Sequence, residues 1–151
     1  MTAVPIKGPV EAVVTLLGGP SVLAQPVHTE LDLMRAAAAG VPIKAVRNLQ
    51  RHLRFSNREM SAVLSISEST LARREKSQQP LTRDESEKTI QLSALVAHGL
   101  EVFGHEPNFY DWLHTKNPAL GSITPLSLLD SALGREQVRS ILYRIQHGIY
   151  S

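Results

Sequence analysis

The sequence predicts an all-α protein, and three observations carry that prediction. Apolar residues recur at helical spacing through nearly all of the 151 residues. No stretch alternates with period two for long enough to make a strand. Two capping boxes, Ser56-Asn-Arg-Glu59 and Thr82-Arg-Asp-Glu85, announce helix starts, because the hydroxyl takes the third amide and the carboxylate takes the first. The length suits one domain or two small ones. There is no Cys, so disulfide and thiolate chemistry are excluded and a reducing cytoplasm is the expected setting. No apolar run nears the roughly 18 residues of a membrane span. The start, Met1-Thr-Ala-Val-Pro-Ile-Lys7, lacks the layout of a secretory signal.

In order along the chain, Val10 to Leu17 reads as a short helix stopped by Gly18-Gly-Pro20. Thr29 to Ala39 reads as the next, with Thr29 or His28 near the cap, Leu31 and Met34 inward, and Gly40 as the stop. Pro42 suits the first turn of a third helix. That helix places Ile43, Val46, Leu49 and Leu53 on one face and Lys44, Arg47, Arg51 and Arg54 largely off it. After the Ser56 box, Met60, Val63 and Leu64 form a buried stripe, Ser65-Ile66-Ser67 a tight turn, and Ser67 caps a helix through Lys76 with Leu71 inward. The Thr82 box opens a long helix to about Phe103, with Ile90, Leu92, Leu95, Val96 and Val102 available for burial. Asp84, Glu85 and Glu87 sit at its start, where the macrodipole favours negative charge. Three shorter helices are expected beyond Gly104, at Asn108–His114, Pro125–Ala132 and Arg135–His147.

The net charge of +2 is concentrated. Residues 44–76 hold eight cations against three anions, a local +5, while the segments on either side are slightly negative. A basic stretch inside a near-neutral chain is the footprint of phosphate contacts, although a solvated helix face has the same composition. Residues 57–76 fit a helix-turn-helix. Ser61 is the small residue where the helices cross, and Met60, Leu64, Ile66 and Leu71 pin them together. The second helix offers Ser67, Ser69 and Thr70 at its start, then Arg73, Arg74 and Lys76; Arg47, Arg51 and Arg54 would add phosphate contacts. Two features stand against it: Ser65 takes the turn position usually given to Gly, at about 1 kcal/mol for a left-handed backbone, and Glu68 and Glu75 would face phosphates.

The C-terminal third is rich in stiff punctuation and ends on an apolar tip. Thr124 can cap a helix whose first position is Pro125. Phe109 and Trp112, three apart, suit either a small bundle core or an interface. Ile149, Tyr150 and the Ser151 carboxylate form an apolar, aromatic and anionic tip after Gly148. That tip suits a partner's pocket; the alternative is that Tyr150 folds back onto Trp112.

Taken in order, Leu81-Thr-Arg-Asp-Glu-Ser86, Val102-Phe-Gly104, Trp112-Leu113, Asn117-Pro-Ala-Leu-Gly121, Thr124-Pro-Leu126 and Gly148-Ile-Tyr150 resemble the Xre/MbcA/ParS-type antitoxin family. The resemblance covers roughly residues 43–151. It implies an antitoxin of a type II toxin–antitoxin pair whose partner is a RES-domain toxin that consumes NAD⁺. It also implies a homodimer that represses its own operon at operator DNA. On this reading residues 1–42 are a helical extension of no assigned role, 43–80 the helix-turn-helix region and 81–151 the toxin-binding domain. The toxin contacts fall to Trp112, Asn117, Leu120, Gly121, Leu128, Gly148, Ile149, Tyr150 and Ser151, with Ile123 and Leu129 joining if the toxin surface reaches them. Neither a cofactor nor a metal is expected: no His-Glu-x-x-His, no glycine-rich phosphate loop and no nucleophile–base set occurs, so the chain reads as a non-enzyme. The rival readings are a stand-alone helix-turn-helix repressor whose C-terminal part dimerises or senses a ligand, and a scaffold protein using the same C-terminal domain.

Overall fold

The computed structural model describes residues 9–149. Its helices are α1 (Pro9–Leu16), α2 (Glu30–Ala39), α3 (Ile43–Leu53), α4 (Asn57–Leu64), α5 (Glu68–Ser77), α6 (Arg83–Phe103), α7 (Glu106–Leu113) and α8 (Ala132–Gln146), with 3-10 turns at Pro118–Leu120 and Pro125–Leu128. The described residues form no strand, only an isolated antiparallel bridge between Asn117 and Ile123. The expected all-α architecture is therefore the one observed.

Helix α6 is the spine, packing against α1, α2, α3, α4, α7 and α8. Leu92, Leu95 and Val96 are buried along it, but so are Ser86, Thr89 and Ser93. These small polar side chains admit close neighbours. Thr89 and Ser93 satisfy their hydroxyls internally, donating to the carbonyls of Glu85 (2.9 Å) and Thr89 (2.7 Å). Ser86 accepts the Val41 amide at 2.8 Å, and Leu81 N–H returns to the Val41 carbonyl at 3.0 Å. The α2–α3 connection is thereby stitched to the start of α6.

The two expected capping boxes form, Ser56 with Glu59 and Thr82 with Glu85, and Thr29, not His28, caps α2 in a third box with Asp32. Ser65 is left-handed, with φ 58° and ψ 40°. Ile43, Val46, Leu49 and Leu53 are buried together on α3, as are Met60, Val63, Leu64 and Leu71 beyond it.

Four expectations are corrected. Leu31 and Met34 face outward, because α2 lays Leu33, Ala36 and Ala37 inward; alanines let the helix come closer to its neighbours than larger side chains would. The helix expected at Pro125–Ala132 is a 3-10 turn that stops at Leu128. The final helix begins earlier, at Ala132, capped by Ser131 (Gly134 N–H to Oγ, 2.9 Å). Ile90 and Val102 are only half-buried.

Gly134 explains that junction. A Cβ there would lie 1.9 Å from the Leu128 carbonyl oxygen, so only glycine allows α8 to start against the preceding turn. Gly134→Ala is expected to lower stability by about 1–3 kcal/mol, and Ser65→Gly to raise it by about 1 kcal/mol. Urea unfolding of the two variants beside the wild type measures both; a neutral Gly134→Ala would show that the junction is free to open.

Candidate functional site

Helices α4 and α5 form the helix-turn-helix unit, with Met60, Leu64 and Leu71 fully buried between them and Ile66 half-buried. Ser61 is buried, its hydroxyl donating to the Arg58 carbonyl at 3.0 Å, so the crossing point is as small as the geometry requires. Ser67 caps α5 by accepting the Thr70 amide at 3.0 Å, and its hydroxyl also meets those of Ser69 and Thr70. Ser69, Arg73 and Lys76, spaced i, i+4, i+7, share one exposed face of α5, and neither cation has an ion-pair partner among the described residues.

The other nominated cations do different work. Arg74 turns inward to Glu85, with both side chains largely buried, and joins the end of α5 to the capping box of α6. Arg47 pairs with Glu75 and also donates to Gln50 Oε1 (2.6 Å) and Asn57 Oδ1 (2.8 Å), bracing α3 against α5 and α4. Its pairing neutralises one of the two acids that stood against a phosphate-facing α5; Glu68 remains exposed. Arg51 bonds Asn48, and Arg54 lies 5.8 Å from the Tyr110 ring. Arg58 and Lys44 are also exposed beside this face, without an ion pair among the described residues.

Helix α7 carries Phe109 and Trp112, which cluster with Phe103 at centroid separations of 5.5–6.2 Å. Phe109 is fully buried and Trp112 half-buried, so the aromatic pair is a bundle core with one edge outward. Asn117 caps the next turn by accepting the Ala119 amide at 2.9 Å, and its own N–H reaches the Ile123 carbonyl at 2.9 Å. The loop between is left-handed at Gly121 and Ser122. Leu120 and Leu128 are half-buried, and Leu129 is fully buried and unavailable to a partner. At the end of α8, Gly148 is left-handed (φ 66°) and the Ile149 amide donates back to the Arg144 carbonyl at 2.8 Å, a Schellman closure that leaves Ile149 53 % exposed. Tyr150 and Ser151 lie outside the described residues, as does the fold-back of Tyr150 onto Trp112.

Two exposed apolar residues of α8 escaped the sequence reading, Leu133 near its start and Tyr143 near its end. Leu133 was findable: on the α8 wheel it falls among Glu136, Gln137 and Ser140, opposite the buried Val138, Ile141 and Leu142. The contacts between the halves escaped it as well. His52 Nδ1 meets Glu106 at 2.7 Å, and His114 Nε2 meets Glu59 at 3.2 Å while its Nδ1 faces the Tyr110 carbonyl. Burial pushes the Glu59 carboxyl up, but the Ser56 amide, His114 and the Ser56 hydroxyl together hold it below its ordinary value. Among the described residues no helix is long and apolar enough to cross a membrane.

Two family models match this chain: the antitoxin Xre-like helix-turn-helix domain over residues 32–93 and the antitoxin Xre/MbcA/ParS C-terminal toxin-binding domain over residues 98–148. The chain is 27% identical over 113 residues to an antitoxin Xre of Photorhabdus laumondii, spanning 74% of this chain and 76% of that protein. It is 26% identical over 130 residues to the Prs ADP-ribosylating antitoxin of a Sphingobium species, spanning 80% and 82%. In fold it is similar to a chain of the M. tuberculosis MbcT–MbcA toxin–antitoxin complex, with a TM-score of 0.56 at 17% identity over 72% of this chain and 96% of that one.

Two variants separate a strut from an exposed cation. Arg74→Ala should lose roughly 3 kcal/mol of stability, since it strands Glu85 without its cation, whereas Arg73→Ala should stay within about 0.5 kcal/mol of wild type. For Glu59 the sign is that of a depressed acid: its contribution is complete above its ordinary value of 4.5 and is lost as pH falls through the lower folded value. Denaturation followed across the acid range should therefore show a shallower acid limb in Glu59→Gln than in wild type. Parallel limbs would show that the cap adds nothing.

Proposed function

The chain belongs to the Xre/MbcA/ParS antitoxin family, and on that premise we propose that it acts in the cytoplasm and neutralises a RES-domain, NAD⁺-consuming toxin while repressing its own operon as a two-fold assembly on operator DNA. The observation that carries the first half is the closure of α8. The Schellman turn at Gly148 fixes the direction in which the chain leaves the bundle, and Ile149 is presented to solvent instead of returning to the core. The segment Ile149–Ser151 is then the one that enters the toxin's cofactor pocket, where Tyr150 stacks as an adenine would. Leu133, Ile123 and Tyr143 join Trp112, Asn117, Leu120, Gly121 and Leu128 as the broader contact surface, a reading their exposure supports. That a relative is named for ADP-ribosylation, a reaction that draws on NAD⁺, supports a partner that handles this cofactor.

The second half rests on α5. Ser69, Arg73 and Lys76 read and hold the DNA from the exposed face, with Ser67 and Thr70 placed at the helix start where free amides favour a phosphate. Arg51, Arg54 and Arg58 supply flanking cations. Arg47 and Arg74 act one step removed, Arg47 by masking Glu75 and Arg74 by anchoring α5 to α6.

Co-expression with the toxin encoded beside it tests the first half. Full-length chain should restore growth and intracellular NAD⁺, and chain lacking Ile149–Ser151 should restore neither; complete rescue by the truncated form sinks the pocket-filling reading. For the second half, Arg73→Ala and Lys76→Ala should each reduce the salt slope of operator binding by about 1 and leave neutralisation intact. Loss of both activities in a folded variant would overturn the division of labour.

A further inference from the structure

We propose that α2 is a self-association surface on which two copies of this chain pair their α2 helices in parallel, side by side across a two-fold axis. The helix carries apolar residues on two faces. Leu33, Ala36 and Ala37 are buried within the chain, while Leu31 and Met34 are 52% and 63% exposed, and Ala38 is exposed with them. Positions 31, 34 and 38 are spaced i, i+3, i+7, the seam of a two-stranded helical contact, and Ala38 is small enough to let the backbones converge toward Gly40.

The charges beside the seam identify the occupant and the orientation. Glu30 lies on one flank and Arg35 on the other, five residues on, both exposed. Set parallel to a second copy, Glu30 of each faces Arg35 of the other on both sides of the seam. Set antiparallel, Glu30 would face Glu30 and Arg35 would face Arg35. Only the parallel arrangement is self-complementary. Arg35 also touches its own Asp32 at 3.6 Å, which leaves guanidinium donors for the neighbour, and Glu30 has no ion-pair partner among the described residues. Ten residues make a helix about 15 Å long, so the contact is small and the association weak until a second tie, such as a pair of operator half-sites, raises the effective concentration. In that respect it deepens the two-fold part of the proposed repressor.

The test is sedimentation of the full chain. Wild type should self-associate, and Met34→Glu, a change at an already exposed position, should weaken association by on the order of tenfold or more. Glu30→Arg and Arg35→Glu should each be monomeric alone and associate when mixed, because the mixture restores opposite charges on both flanks; that rescue also shows that each variant is folded. Single charge reversals that associate like wild type overturn the parallel pairing. A wild-type dimer indifferent to Met34→Glu removes this surface but leaves a two-fold repressor standing. A wild-type chain that stays monomeric at every concentration overturns the α2 pairing, and the two-fold repressor falls with it only if the chain also binds operator DNA as a monomer; if Met34→Glu then fails to neutralise the toxin, the face belongs to the toxin instead.

Discussion

One helix has to be the core of everything. α6 meets six other helices, and a 21-residue helix with a single apolar stripe could not do so. The chain meets this constraint by alternating large apolar residues with small polar ones around the helix: Leu92, Leu95 and Val96 provide buried area, and Ser86, Thr89, Ser93 and Gly99 provide proximity. Gly99 shows how close that proximity is, since a Cβ there would lie 2.2 Å from the Phe109 ring. A buried hydroxyl is tolerable because it bonds within its own helix or, at Ser86, to the Val41 amide. At its N-terminal end α6 is anchored through Glu85, whose carboxylate serves its own cap and Arg74 at once. Helix α5 is therefore held by a largely buried ion pair as well as by apolar contact.

What could be read from the sequence follows from how local each signal is. Capping boxes at Ser56 and Thr82 involve residues three apart and a single turn of backbone, and both form where the sequence places them. The stripe on α3 was legible because it has only one apolar face. α2 has two, and size misleads there: Leu31 and Met34 are the bulkier choices, yet Leu33 with two alanines gives the tighter fit. Thr124-Pro125 is a true helix start, but the same signal opens a 3-10 turn that ends at Leu128, where Gly134 lies close against its carbonyl. The reading face of α5 was half legible. Its cations could be counted, but Arg47–Glu75 and Arg74–Glu85 join residues 28 and 11 apart, and no local pattern distinguishes a strut from a free cation.

The two halves are not joined by α6 alone. Helix α7, which carries the aromatic cluster near the partner-binding end, also touches the helix-turn-helix side through His52–Glu106, His114–Glu59, the Arg54–Tyr110 contact and an edge-on Phe55–His114 pair 6.5 Å apart. His114 is the informative residue, because it bonds the carboxylate that caps α4. A partner that displaced α7 would loosen that cap, and by linkage a ligand that fixed α4 would stiffen α7 against displacement. The size of such coupling is bounded by the contacts themselves. Partly exposed polar pairs of this kind are each worth about 1 kcal/mol or less, and two of them with two ring contacts amount to less than about a thousandfold in affinity. That magnitude suits a graded coupling between the two halves, and it is too small for an all-or-none switch, which would need about 5.5 kcal/mol of differential binding.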